Sequence, residues 1–156
     1  MLQRIQTVYW LLSVVCLGIL LSGVKLVTFK KENQIFELTI YKLNQINPSN
    51  GKVETSGNNY HFLIVLLLIV FILFTIFSFK SLKKQLNLSK WVMSSLLTFI
   101  LIFFTFSYTG QIVNNSSEIS FNFSSAFLLI GFVFSVLAYL GVRKDKSLLD
   151  SVDRIR

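Results

Sequence analysis

The chain has 156 residues and a formal net charge of +8, with 53% of its residues hydrophobic and only 14% charged. A soluble globular domain carries about 25% charged residues, because charged side chains supply much of its water-facing surface. The composition therefore excludes an ordinary soluble domain and indicates a membrane protein, with the lipid bilayer as its surroundings.

The apolar residues are gathered into four blocks without a charge. About 20 residues of helix cross a hydrocarbon core of roughly 30 Å, and no block has the alternating pattern of a membrane β-barrel strand. We therefore predict an all-α integral membrane fold with four transmembrane helices and both termini in the cytoplasm. In chain order, the predicted segments of this single membrane domain (1–156) are a first span at 5–24, an outer loop at 25–60, a second span at 61–79, an inner loop at 80–90, a third span at 91–112, an outer loop at 113–124, a fourth span at 125–142 and a cytoplasmic tail at 143–156.

The orientation follows from the basic residues beside the spans, because loops rich in Lys and Arg stay in the cytoplasm. The predicted inner loop has four lysines and no acid, and the tail has five bases. The second outer loop has Glu118 and no base. The protein is therefore predicted to be a multi-pass protein of the cytoplasmic membrane.

The outer loops contain patterns that are typical of strands. Residues 25–29, 35–43 and 119–123 alternate in part between apolar and polar side chains, and turn-forming residues lie between the first two. We predict a small antiparallel β-cap of two to four strands on the helices, with residues 56–59 outside it.

Several classes of function lack the residues that they need. One cysteine, Cys16, cannot serve a dithiol oxidoreductase, and the spans lack the embedded carboxylate of a proton-coupled exporter. The single histidine, His61, lies at the end of a span. We therefore predict no catalytic residue, metal ligand or cofactor, and, because the inner loop is short and has no recognised motif, no nucleic-acid partner.

Uncharged polar residues interrupt the third span and allow two interpretations. Hydroxyls and small residues can pack helices together, and they can also line a pore. Gly18 with Ser22 and Gly131 with Ser135 have the four-residue spacing of packing pairs. The polar residues of the third span are Ser94, Ser95, Thr98, Thr105, Ser107, Tyr108 and Thr109.

The two ends of the chain form the candidate interaction motif. The tail is predicted to start a short helix at an N-cap, Ser147, and to lie along the membrane surface, where Arg4 could meet Asp150 or Asp153. An ordinary basic flank with a frayed tail is the alternative. The candidate residues are Gln3, Arg4, Gln6, Arg143, Lys144, Asp145, Asp150, Asp153, Arg154 and Arg156.

These ends also resemble a known family. The start, of the form M-x-Q-R-I-Q, and the end, of the form R-K-D-x-x-L-L-x-S-x-D-R-I-R, are similar to those of small bacterial inner-membrane proteins that are catalogued as a domain of unknown function. The resemblance implies the same length and helix count and a bacterial inner membrane, and it supplies no activity. We expect a non-enzymatic accessory or scaffold subunit that binds another membrane protein or a second copy of itself. The alternative is a small channel or transporter for a neutral or lipid-like solute.

Overall fold

The computed structural model describes residues 5–31, 34–46, 53–113 and 118–153. In these ranges four helices form a bundle and five strands form one sheet. The helices are α1 (Ile5–Leu21), α2 (His61–Phe77), α3 (Leu82–Val113) and α4 (Phe123–Asp153), and a 3₁₀ turn (Ser78–Lys80) joins α2 to α3. The strands are β1 (Lys25–Lys31), β2 (Gln34–Thr39), β3 (Lys42–Ile46), β4 (Val53–Asn58) and β5 (Glu118–Phe121).

The sheet is antiparallel throughout and has the strand order β4-β3-β2-β1-β5. It follows the end of α1 and precedes the starts of α2 and α4, so that it lies at one end of the antiparallel bundle. Phe29, Phe36 and Leu38 are buried and join the same apolar cluster as the helices. We call the opposite end of the bundle the inner end.

The predicted all-α class with four transmembrane helices is wrong. The described residues include a five-stranded sheet, and among their helices only α3 and α4 contain an apolar stretch that is long enough to cross a membrane, within Leu82–Thr109 and within Phe123–Ser151. Helices α1 and α2 have 17 residues each. At 1.5 Å per residue this is about 26 Å, which is less than a hydrocarbon core of roughly 30 Å.

Local turns explain why the two shorter helices end where they do. After α1 the chain reverses at Gly23, which has a left-handed φ of 79° that favours glycine, and it enters β1. After α2 the backbone tightens into the 3₁₀ turn, and Ser81 is extended. The apolar residues beyond each helix therefore do not lengthen it.

The sheet is also larger than the predicted cap. Strands β1, β2 and β5 form where the alternation predicts strands, but β4 includes residues 56–58, which were expected to lie outside the cap. The sequence of β4, VETSGN, has no apolar alternation. Its backbone instead pairs with β3, from Ile46 opposite Val53 to Lys42 opposite Asn58. Backbone pairing satisfies the polar main-chain groups whatever the side chains are.

Each helix turns one stripe of buried side chains towards the bundle interior, since the buried residues recur every three or four positions. The half of the interior next to the sheet is mainly apolar, with the hydroxyl of Ser107 among its Leu, Val and Phe side chains, whereas the half at the inner end contains the amides of Gln6 and Gln85 as well as hydroxyls. The stripes include Gln6, Trp10, Ser13, Leu17 and Leu20 on α1, Val65, Leu68, Ile72 and Thr75 on α2, Gln85, Ser89, Val92, Leu96, Phe99 and Phe103 on α3, and Leu128, Ser135, Ala138 and Val142 on α4.

A candidate interaction surface at the inner end

The structure places the described part of the candidate motif on two neighbouring helices. Gln6 is in the first turn of α1, and Arg143, Lys144, Asp145 and Asp150 are in the last third of α4. Gln3, Arg4, Arg154 and Arg156 lie outside the described residues, as does the side chain of Asp153, so the predicted pairing of Arg4 with an aspartate stays a prediction.

Gln6 joins the two ends of the chain and is itself an interior residue. Its side chain is 1% exposed, and its Nε2 donates a hydrogen bond to Oδ2 of Asp145 at 3.2 Å. The two helices come close because α4 has Gly141 at this level. A Cβ on Gly141 would lie 3.1 Å from Cβ of Gln6, a separation tighter than ordinary packing allows. Gln6 is therefore a buried residue that positions Asp145, and it is not itself part of the exposed interaction surface.

A second polar contact holds α1 to α4 one layer deeper. Ser13 is buried, and its Oγ donates a hydrogen bond to the carbonyl oxygen of Gly131 at 2.9 Å. Gly131 allows this approach, since a Cβ there would lie 3.4 Å from Cβ of Cys16. The predicted packing pair of Gly131 with Ser135 thus lies in a helix interface. Gly18, in the other glycine pair, is exposed, and a Cβ there would meet nothing within 4 Å.

Three of the four buried side-chain polar atoms that lack a partner among the described residues lie in the same inner half of the bundle, and the fourth, Oδ1 of Asn44, is in β3 at the sheet end. Within the described residues, Oε1 of Gln6, Nε1 of Trp10 and Oε1 of Gln85 are buried and accept or donate no hydrogen bond. Each buried polar atom without a partner lowers the free energy of unfolding by about 1–3 kcal/mol. Sequence reasoning missed the burial of Gln85, because Lys83 and Lys84 precede it. The one signal was the four-residue spacing of Gln85 and Ser89, which places both side chains on one face of a helix.

The exposed part of the surface is carried by α4, which is one continuous helix to Asp153. The predicted new helix at Ser147 is wrong, because Oγ of Ser147 donates to the carbonyl oxygen of Lys144 at 2.8 Å inside that helix. Extending a helix costs less than nucleating another one, and residues 142–153 contain no glycine or proline. Leu148 and Leu149 therefore lie on the outside of this continuous helix, 57% and 54% exposed.

The hydroxyls of the third predicted span bond to their own helix. Oγ1 of Thr98 donates to the carbonyl oxygen of Ser94, and Oγ1 of Thr105 donates to that of Leu101. Both threonines are on the outer face of α3. Ser107 is buried but bonds in the same way, to the carbonyl oxygen of Phe103. These hydroxyls are therefore satisfied locally and do not form a stripe facing the bundle interior.

No group of three or more His, Cys, Asp or Glu side chains that could hold a metal ion occurs in the part of the chain that the structure describes. An apolar helix bundle with an antiparallel sheet at one end defines an α and β protein with two helices able to span a membrane. A fold of this kind does not by itself assign an activity.

The family model for the domain of unknown function DUF4293 matches residues 2–155, and the chain belongs to this family. The predicted membership of a family of unknown function is thereby confirmed. The two terminal motifs and the bacterial origin stay predictions. No curated protein matches the chain.

Proposed function

We propose that the chain is a multi-pass protein of a bacterial cytoplasmic membrane, and that it acts there as a non-enzymatic accessory or scaffold subunit of a membrane or envelope complex. Helices α3 and α4 are long and apolar enough to span a membrane. The outward face of α2 supports the same placement, since Leu63, Leu67 and Val70 are more than half exposed. A helix that is apolar on every side suits hydrocarbon and not water.

The distribution of charge supports an orientation with the inner end in the cytoplasm. Exposed bases cluster at that end on both long helices, and basic residues beside spans favour the cytoplasmic side. The sheet would then lie on the other side of the membrane. The exposed bases are Lys83, Lys84 and Lys90 on α3 and Arg143 and Lys144 on α4.

The observation that carries the scaffold role is the exposed leucine pair on the extension of α4. Residues 143–153 continue the helix for about 16 Å beyond the buried Val142, and residues 147–151 are exposed. In the proposed orientation Leu148 and Leu149 project into water beside Arg143, Lys144 and Asp150. Exposed apolar side chains with a charged rim are typical of a protein interface. Hydrogen bonding between Gln6 and Asp145 anchors the base of this extension.

The alternative role as a channel or transporter receives less support. It was based on the Ser and Thr residues of the third span, and these donate to carbonyl oxygens of their own helix. Inside the bundle, Leu17, Leu96 and Phe99 belong to one buried apolar cluster. A continuous polar path across the bundle is therefore not a feature of the described residues.

The scaffold role can be tested by purifying the tagged protein from its own membranes in a mild detergent and measuring the mass of the particle by light scattering. We expect a stoichiometric complex, either with another membrane protein or with a second copy. A Leu148→Ser/Leu149→Ser variant should be recovered as the free protein. A matched control, Leu101→Ser, changes a leucine that is 60% exposed in the middle of α3 and should keep the complex.

Two results would contradict this proposal. One is a free monomer at every expression level of the natural protein. The other is a complex that survives the double leucine variant and is lost in the control. Carbonate extraction of the same membranes tests the location separately, because an integral protein stays in the pellet and a peripheral one is released.

A further inference from the structure

An open cleft of about 300 Å³ lies where β4 leads into α2, and it faces α3. It is lined by Asn59, Tyr60, His61, Ile64 and Phe106. One lining residue is held by the turn between β2 and β3, because the backbone N–H of Asn59 donates to the carbonyl oxygen of Tyr41 at 2.7 Å. The cleft is near the lower limit of the volume of typical small-molecule sites, about 300–1,000 Å³.

The lining of the cleft has a polar end and an apolar end. Tyr60, which is 70% exposed, and His61, which is half-buried, supply a phenol and an imidazole. Ile64 and Phe106 supply the apolar wall, and the ring of Phe106 lies 4.8 Å from that of His61, centroid to centroid. None of the lining residues carries a carboxylate, an ammonium or a guanidinium. The lining therefore suits a neutral, amphipathic molecule.

The polar end offers hydrogen-bond donors. A neutral imidazole has one N–H and a phenol has one O–H, and each needs an acceptor when it is shielded from water. No side chain caps the N-terminus of α2 at Tyr60, and the backbone N–H of Leu63 donates to the carbonyl oxygen of Tyr60 at 3.1 Å, so the donors that the cleft offers are the two side chains. A carbonyl oxygen is a neutral acceptor that fits both of these donors.

The apolar end opens towards the side of the bundle. Ile64 and Phe106 are 40% and 42% exposed, and Leu63 and Leu67 continue the exposed apolar face along α2. In the membrane placement proposed above, this face is in contact with hydrocarbon, and Tyr60 is at the level of the headgroups, where tyrosine is favoured. A chain attached to a bound head could therefore leave the cleft along α2.

We propose that this cleft binds a neutral lipid through a carbonyl group in its head, with His61 and Tyr60 as donors and the hydrocarbon chain against Ile64 and Phe106. The inference rests on the membrane location but not on the scaffold role. Two sources share this chemistry, an ester of glycerol and an isoprenoid quinone. Both place a carbonyl next to a long apolar chain.

The test is native mass spectrometry of the detergent-purified full chain, titrated separately with monooleoylglycerol and with decylubiquinone. We expect saturable binding of one molecule of at least one of these lipids, and the lipid that binds identifies the source. His61→Phe keeps an aromatic ring but removes the donor, and should weaken binding about two- to tenfold, the worth of one neutral hydrogen bond. Ile64→Trp should fill the apolar end and weaken binding at least about tenfold.

Val70→Trp provides the matched control, because Val70 is 57% exposed on the same helix and does not line the cleft. It should bind like the natural protein. Non-saturable uptake of both lipids, or unchanged binding in either cleft variant, would overturn the proposal. Failure here leaves carbonate extraction and complex formation unchanged, so it can be told apart from a failure of the proposed function.

Discussion

The contact between Gln6 and Asp145 leads to a prediction in which two substitutions together do less harm than one. Asp145→Ala removes the acceptor and leaves both polar atoms of a side chain that is 1% exposed without a partner. A newly stranded buried donor costs about 1–3 kcal/mol of unfolding free energy. Gln6→Met loses the same hydrogen bond but also removes the unpaired Oε1, so the two effects offset each other to within about 1 kcal/mol.

The double variant, Gln6→Met/Asp145→Ala, should therefore be more stable than Asp145→Ala alone. Reversible unfolding by SDS in mixed micelles gives the free energies of all four proteins. Asp150→Ala is the control for helix propensity, since Asp150 is exposed on the same helix, and it should change stability by less than about 0.5 kcal/mol. Additive losses in the double variant, or a Gln6→Met as damaging as Asp145→Ala, would refute the account of Gln6 as a buried anchor.

Two comparisons between glycines, each a test position and a control position, give further predictions in the same unfolding assay. Gly131→Val should lower the free energy of unfolding by about 1–3 kcal/mol, because its Cβ would lie 3.4 Å from Cβ of Cys16 and its methyl groups would push α1 away from α4. Gly18→Val should lower it by less than half as much, because a Cβ at Gly18 would meet nothing within 4 Å. Equal losses would contradict the close approach of these helices. Gly23→Ala should lower the free energy of unfolding by about 1–2 kcal/mol, because φ at this position is 79°. Gly57→Ala in β4 should leave it nearly unchanged, because a Cβ at Gly57 would meet nothing within 4 Å. A neutral Gly23→Ala would show that the turn after α1 does not need the left-handed backbone.

The sequence predicted the places of the helices better than their lengths. Blocks without charge indicate helix because they are apolar on every side, but they do not show where the backbone turns. Gly23 ends the run of α1 through its φ, and the 3₁₀ turn after Phe77 ends α2 without any glycine or proline. At the other extreme, α4 runs past its apolar block to Asp153, since nothing between Val142 and that residue breaks a helix.

The interior of the candidate surface was harder to predict than its exposed side. Arg143, Lys144 and Asp150 are charged and lie on the surface, as their chemistry suggests. Gln6 and Gln85 are polar and buried, and their burial depends on which helices come together, which a single chain pattern does not encode. Alternation predicted β1, β2 and β5, because side chains on one face of a strand must be buried, and it missed β4, which is held by backbone pairing to β3.

The strand order has a consequence for the order of assembly during synthesis. Strands β1 to β4 lie within the first 58 residues and can pair before α2 is made, but β5 follows α3. Ser120 reaches across 92 positions to the carbonyl oxygen of Thr28, and the N–H of Asn122 bonds to the carbonyl oxygen of Leu26. Until α3 is complete, one edge of β1 stays open to other chains. The sheet can therefore be completed only after α3 has been made, when its last strand, β5, pairs with β1.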